Sequence, residues 1–423
     1  MLAALCAGCA LLSCAEQKMC MSAEASEMTF RDAPADYLIA SNFRNIHMVQ
    51  LEMKDECVVS DVKRIIDTDG KVFVLTSDNE IFCFDRSTGK YLSTIGSVGE
   101  GPGEYVDATD IFYDEREKRI CVLDRSKNAI HAYTLDGKYN GDRTPGQGGD
   151  AVAALSWAIC AERSADGSLM IASQMTGGYP SNDYAYTVVR PDRTLSRMDA
   201  FAPVKVEDYS MPFATRSIVV CEDGLRFFKF LNDTIFTLKD GEAVPYCRLN
   251  TGRSMPPKDV VAKMGSYEET NLYNLYKSSG YAMTFREMYE CGNLIAVVPE
   301  LYMMTGGYFW IDKERQEGIH ILATGDFDDE CFRFLQGQSI IRLVGSNGKE
   351  LISAFSGATS IGAVQKQLSD GKTLKLYDKR MKTFFEKADP EGNPCLVFYE
   401  NRRAGDYCGC MIRSSVIRQS LTN

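Results

Sequence analysis

Histidine is scarce in this chain: His47, His131 and His320 are the three in 423 residues. They stand far apart and in no ligand spacing, so a histidine-built metal centre is not indicated. A lone histidine is more often a satisfied core or surface group, and that is expected of His131 between Ile130 and Ala132. Beyond Cys14 no C-x-x-C pair occurs, which removes the ligand sets of zinc and thioredoxin-like sites. There is no Gly-x-Ser-x-Gly elbow, so a serine hydrolase triad lacks its nucleophile turn. A basic excess is missing as well. Lys and Arg number 47 against 58 Asp and Glu, a net charge of −11. A nucleic-acid or anionic-membrane surface needs clustered cations, so neither is expected as a partner. Past the N-terminus no apolar run reaches the ~18 residues that would span a bilayer.

What is present begins with an export pattern. Leu2 to Leu12 is apolar and small, and Leu11-Leu12-Ser13-Cys14 follows. That pattern resembles a bacterial lipobox, in which Cys14 becomes the lipidated first residue. The first cation is Lys18, so the usual basic start of a signal is missing. The expected plan is a signal over 1–13, a polar tether over 14–40, a folded body over 41–400 and a tail over 401–423. Membrane attachment is expected through the lipid alone, at the outer membrane, with the body a monomer. Cysteine is abundant, 15 residues. Most lie singly in apolar runs such as Ile81-Phe82-Cys83-Phe84, where the thiol serves as a small core hydrophobe. Cys408-Gly409-Cys410 is read as a feature of the tail.

The body reads as short strands in a repeating order. Val62 to Ile66 ends at Asp67-Thr68-Asp69-Gly70, and Val72 to Leu75 follows. Asp78-Asn79 turns into Ile81 to Phe84, and Thr88-Gly89-Lys90 into Tyr91 to Ile95. The order returns with Ile120 to Asp124, Ala129 to Tyr133 and Asp136-Gly137-Lys138-Tyr139, Gly137 lying 48 residues after Gly89. Four strands in a period of ~40–50 residues is the signature of a β-propeller blade. Weaker repeats start near Gly167, Leu225, Asn293 and Ser339. The fold class expected is therefore all-β: a six-bladed propeller of four-stranded antiparallel blades. A propeller must also join its ends, and Ile46–Leu51 with Cys395–Tyr399 are expected to close the ring. Two stretches have helical spacing instead. One is Lys258 to Ser278, an insertion between the fourth and fifth blades; the other is Ala363 to Lys387.

Between the first two repeats lies Ile95-Gly96-Ser97-Val98-Gly99-Glu100-Gly101-Pro102-Gly103-Glu104-Tyr105. Gly99, Gly101 and Gly103 permit left-handed backbone, and Pro102 fixes its own φ. Glu-Tyr-Val follows, not the Lys-Ser/Thr of a phosphate loop. The loop is expected to be a rigid connection carrying Tyr105 onto the neighbouring repeat. A second use would present Glu104 and backbone amides to a ligand. This loop, with Asn232-Asp233-Thr234-Ile235-Phe236 and Asn393-Pro394 before an apolar strand, resembles the six-bladed β-propeller lipoproteins of gut bacteria. Those are distantly similar to NHL-repeat propellers. The resemblance implies an exported, membrane-anchored propeller and carries over no functional residues.

Carboxylates at strand ends, Glu104, Asp124 and Asp312, are expected chiefly to cap turns. Asp67-Thr68-Asp69-Gly70 lacks the remaining acids of a calcium loop and reads as a hairpin turn. Tyr273, Tyr276, Tyr308 and Trp310 offer rings that could stack on sugars, or pack the helical insertion onto its neighbours. The candidate ligand face is Glu104, Asp124, Tyr273, Tyr276, Tyr308 and Trp310. No cofactor or metal is implied. The leading expectation is a non-catalytic binding module for a glycan, a peptide or a partner protein, with a glycan or an envelope protein as the partner. The alternatives are a carbohydrate-active hydrolase or lyase using face carboxylates, and a scaffold in an envelope complex.

Overall fold

The computed structural model describes residues 25–33, 43–143, 145, 149–173, 184–198, 215–229, 231–257, 260, 281, 285–301, 304–305, 308–321, 342–357, 361–369 and 379–401. Strands dominate them. The first two are β1 (Ser26–Ala33) and β2 (Phe43–Gln50). Next comes an antiparallel meander of β3 (Val62–Thr68), β4 (Lys71–Thr76), β5 (Ile81–Asp85) and β6 (Tyr91–Thr94). The β3–β4 hairpin closes on Asp69-Gly70 with φ of 51° and 73°. Positive φ at both central residues is the turn whose twist matches the strands, so the acidic stretch here is a hairpin turn.

A second meander repeats the plan with β7 (Ala108–Asp114), β8 (Arg119–Asp124), β9 (Ala129–Thr134) and β10 (Tyr139–Arg143). After helix α1 (Gly149–Ser156) a third follows: β11 (Ala158–Arg163), β12 (Leu169–Ser173), β13 (Tyr186–Val189) and β14 (Leu195–Met198). Each inner strand is buried on both faces because the sheets stack face to face. In β4, Val72 and Val74 pack in one core with Leu396 and Phe398. Their neighbours Phe73 and Leu75 enter another with Ile111 and Val122. The period of two thus serves two cores at once.

The next strands are β15 (Ile218–Cys221), β16 (Gly224–Phe228), β17 (Thr234–Lys239) and β18 (Glu242–Asn250). Then come β19 (Phe285–Cys291), β20 (Leu294–Leu301), the short β21 (Met304–Thr305), β22 (Tyr308–Asp312) and β23 (Glu317–Ile321). Six separate blades do not form among the described residues, which make four four-stranded sheets and one ten-stranded sheet. The cause is β1, which lies where the tether was expected. It pairs in parallel with β18 through Ser26–Thr29 and with β23 through Phe30–Ala33, fusing two antiparallel groups at their outer edges. Two open edges that would otherwise expose backbone donors and acceptors are thereby satisfied.

The last strands are β24 (Leu343–Ser346), β25 (Glu350–Phe355) and β26 (Cys395–Asn401). β26 pairs antiparallel with β2, setting Ile46 opposite Tyr399 and Val49 opposite Leu396, so the two ends of the body close one sheet as expected. Between β25 and β26 lie α2 (Ala363–Ser369) and α3 (Lys379–Phe385), within the stretch expected to be helical. The helical insertion expected over 258–278 falls, apart from Val260, outside the described residues. The first strands of the successive groups, β3, β7, β11, β15, β19 and β24, touch in that order, and β24 touches β3. The molecule is thus a closed, propeller-like ring of β-sheets.

Candidate functional site

The Gly/Pro loop is built as a connection. Gly99 N–H donates to Tyr105 O at 2.9 Å and Tyr105 N–H to Ser97 O at 3.0 Å, so the loop zips onto itself. Glu104 turns inward and accepts from Gly101 N–H at 2.8 Å. Tyr105 is buried in the core shared by the first two meanders. Lys127 Nζ donates to Glu104 O at 2.9 Å, and Tyr133 donates its hydroxyl to Gly103 O at 3.0 Å. Pro102 is exposed at the tip.

Asp124 is fully buried, which corrects its place on a ligand face. It accepts from Val106 N–H at 2.7 Å, Asp107 N–H at 3.3 Å and Lys127 N–H at 3.0 Å. Burial works against its charge, and these donors with His131 outweigh it, holding the carboxyl below its usual value. Asp312 caps its turn in the same way, through Glu314 and Arg315 N–H at 3.1 and 3.0 Å. Tyr308 and Trp310 are also buried, 3% and 2% exposed, in the core against Phe43 and Tyr399. They lie on an inner strand whose alternate residues all meet another sheet, and so cannot stack on a ligand. Tyr273 and Tyr276 lie outside the described residues, as does Cys14.

What converges instead is charge, at the end of the ring where β3, β7, β11 and β19 begin. There a cavity of about 340 Å³ opens. Lys63 and Arg64 reach it from β3, Asp107 and Asp110 from the start of β7, and Arg286, Glu287 and Tyr289 from β19. Arg216 stands just ahead of β15 and Arg342 just ahead of β24. Arg125 follows β8, so Asp124 acts at one remove by fixing the turn that carries Asp107 and Arg125.

Below the opening, Arg64 links three strands. Its Nη1 donates to both Asp110 oxygens at 2.9 and 2.8 Å, and its Nη2 donates to Glu162 on β11. Asp110 also accepts from Ala161 N–H at 3.0 Å. Arg216 is satisfied far less well. It is 7% exposed, and its contacts to Glu162 Oε1 and Val344 O are both 3.5 Å. Its Nε has no hydrogen-bond partner among the described residues. Its guanidinium covers the Tyr289 ring at 5.1 Å. Burial, then repulsion from Arg64, pulls the Arg216 pKa down. Burial pushes Glu162 up, against the pull of both arginines.

The remaining groups at the rim are paired. Arg342 Nη1 grips Asp61 at 2.7 and 2.9 Å, and Arg125 meets Asp107 at 3.1 Å. Glu287 accepts from Thr215 Oγ1 at 2.7 Å, and the Tyr289 hydroxyl lies 2.8 Å from Glu287 Oε2. Lys63 faces open water in the cavity, its Nζ 3.3 Å from Ala108 O, and the crowding of protein around it lowers its pKa. Sequence reasoning missed these residues. The signal was there: charged residues at the ends of apolar strands, spread over separate repeats.

The described residues contain no helix long and apolar enough to cross a membrane. No curated protein matches the sequence. Among solved structures, a Bacteroides fragilis NCTC 9343 protein inferred to be exported, BF0058, matches with a TM-score of 0.66 at 18% identity, over 89% of this chain and 100% of that one. A member of the DUF4221 family from Bacteroides vulgatus ATCC 8482 matches with a TM-score of 0.48 at 10% identity, over 85% and 97%. The first likeness shows a shared fold and nothing of activity. The family model DUF4934, described as a domain of unknown function, matches residues 31–400, and the chain belongs to that family.

Proposed function

We propose that this chain is a non-catalytic binding module of the cell envelope whose ligand enters the central cavity. The observation that carries this reading is the convergence of charged side chains from successive strand groups on one opening. Rigid rings with a site at the channel mouth are a common use of propellers. The carboxylates around the opening favour binding over catalysis, because Asp110 is held by Arg64 and Glu287 by Thr215. A glycosidase or lyase needs an acid left available for proton transfer. We read the ten-stranded sheet as two blades bridged by β1, which makes the ring six-bladed. We further infer export and anchoring by a lipid on Cys14, with the body a monomer at the outer membrane. The likeness to a protein inferred to be exported supports the export.

Two experiments test the reading. A glycan and peptide array probed with the full chain should give saturable binding that Lys63→Met weakens at least tenfold. Ligand capture indifferent to Lys63→Met, with crosslinks on the outer rim of the ring, would favour a scaffold instead. Cys14→Ala should move the protein from the membrane to the soluble fraction; unchanged fractionation and mobility would refute the anchor.

A further inference from the structure

The charge balance of the cavity specifies its ligand more narrowly than the binding role does, and this inference rests on that reading of the cavity. The lining includes six cations and three anions in a chain of net charge −11. Glu162 pairs with Arg64 and Asp61 with Arg342, which neutralises part of the excess. The balance leaves a positive opening in an acidic protein. Arg216 concentrates the excess, since a guanidinium carries five N–H donors and among the described residues this one has two contacts of 3.5 Å and an unpartnered Nε while 7% exposed. A buried cation so poorly paired is costly unless an anion completes it. Lys63, in the same lining and exposed, adds an ammonium. A divalent cation would meet a lining whose cations outnumber its carboxylates, and those carboxylates are already paired. Among the described residues of the lining a neutral sugar would find no open ring to stack on, because Tyr289 is 3% exposed beneath Arg216.

We propose that the cavity binds the oxyanion group of a small acidic ligand, a carboxylate or a phosphate, with Arg216 and Lys63 as its main counter-charges. A planar carboxylate or a phosphate matches the guanidinium fork, and the ammonium adds a point charge. The site is small enough for one acidic sugar or a comparable organic acid, and shielding by protein makes the contact less sensitive to salt than a surface pair.

Titration calorimetry on the full chain in low salt tests this with four probes: galacturonate, galactose, inorganic phosphate and calcium. Galacturonate or phosphate should bind, galactose and calcium should not, and the preferred anion identifies which oxyanion source the site takes. Lys63→Met, at an exposed position that spares the core, should weaken anion binding about tenfold. Arg216→Met should abolish it, and Arg216→Lys should restore part of it if the fold holds. Galactose binding as tightly as galacturonate, and lost with Lys63→Met, would overturn the anion inference while leaving the cavity as the site. Anion binding untouched by either substitution would overturn the placement. Failure of all four probes, together with array capture that Lys63→Met does not affect, would remove both this inference and the cavity reading.

Discussion

Gly103 takes φ of 76°, and a Cβ there would lie 2.8 Å from the Tyr139 ring. Gly103→Ala therefore combines left-handed strain with a clash, and should cost about 1–3 kcal/mol. Thermal unfolding measures it, and an unchanged Tm would mean that the loop is not held as tightly as its hydrogen bonds imply. His131 is the residue where pH acts. It is 2% exposed, with Nδ1 2.6 Å from Asp142 and Nε2 3.4 Å from Asp124, and the Tyr139 ring beside it. Burial pushes its pKa down, but the two carboxylates outweigh burial and raise it. A histidine with a raised folded value contributes stability in full below its unfolded value of about 6.5, and loses it as pH climbs through the folded value. Asp124 and Asp142 are held below the ordinary carboxylate range, so their contribution fades only in acid. The protein should melt at a lower temperature at pH 8 than at pH 6, and His131→Gln should flatten that difference. Equal slopes in the two proteins would exclude His131 as the cause.

At the scale of elements, β1 is the unusual piece. It crosses between β18 and β23 and makes no hairpin with either. Its close approach depends on Gly318, where a Cβ would meet Thr29 O at 2.3 Å. Gly318→Val should push β1 off β23 and expose the edges it covers. Hydrogen exchange should then speed up at the amides of β1 and β23 by at least tenfold, with β4 and β8 unchanged. Uniform loss of protection would show that β1 is needed for the whole fold, and no change would show that the neighbouring backbone can shift aside.

Closure decides the stability of the whole molecule. β2 and β26 join the two ends of the body, and Asn393 locks the junction from a site only 1% exposed. It accepts from Val59 N–H at 2.8 Å and donates to Glu52 O and Cys57 O, each at 2.8 Å. Asn393→Ala removes three bonds and strands two buried backbone groups, Val59 N–H and Cys57 O, so the loss should be about 2–4 kcal/mol. Chemical denaturation should show it as a lower midpoint. An effect below about 0.5 kcal/mol would mean that water replaces the amide fully. The cysteines enter at this scale only as packing. The eight described are all unbridged, and all but Cys221 are buried. Burial pushes thiols such as Cys121 and Cys395 up to about 12, so they should resist alkylation until the ring opens.

The sequence by itself determined the local work: where strands run, where they turn, and that the ends meet. Hairpins such as Asp69-Gly70 and the apolar run Val72–Leu75 depend on near neighbours, so their residues declare them. The turn-capping role of Asp124 was legible for the same reason, though not its burial, as was the rigid loop ending in Tyr105. Tertiary structure alone decided which sheet β1 joins, because a polar eight-residue strand is recognised only by the two edges it satisfies. It also decided the site. Arg64, Arg216, Arg286 and Arg342 are far apart in the chain, and each looks like an ordinary charge at the start of a strand. Only the closing of the ring turns them toward one cavity, and it sends Tyr308 and Trp310, rings expected on a ligand face, into the core.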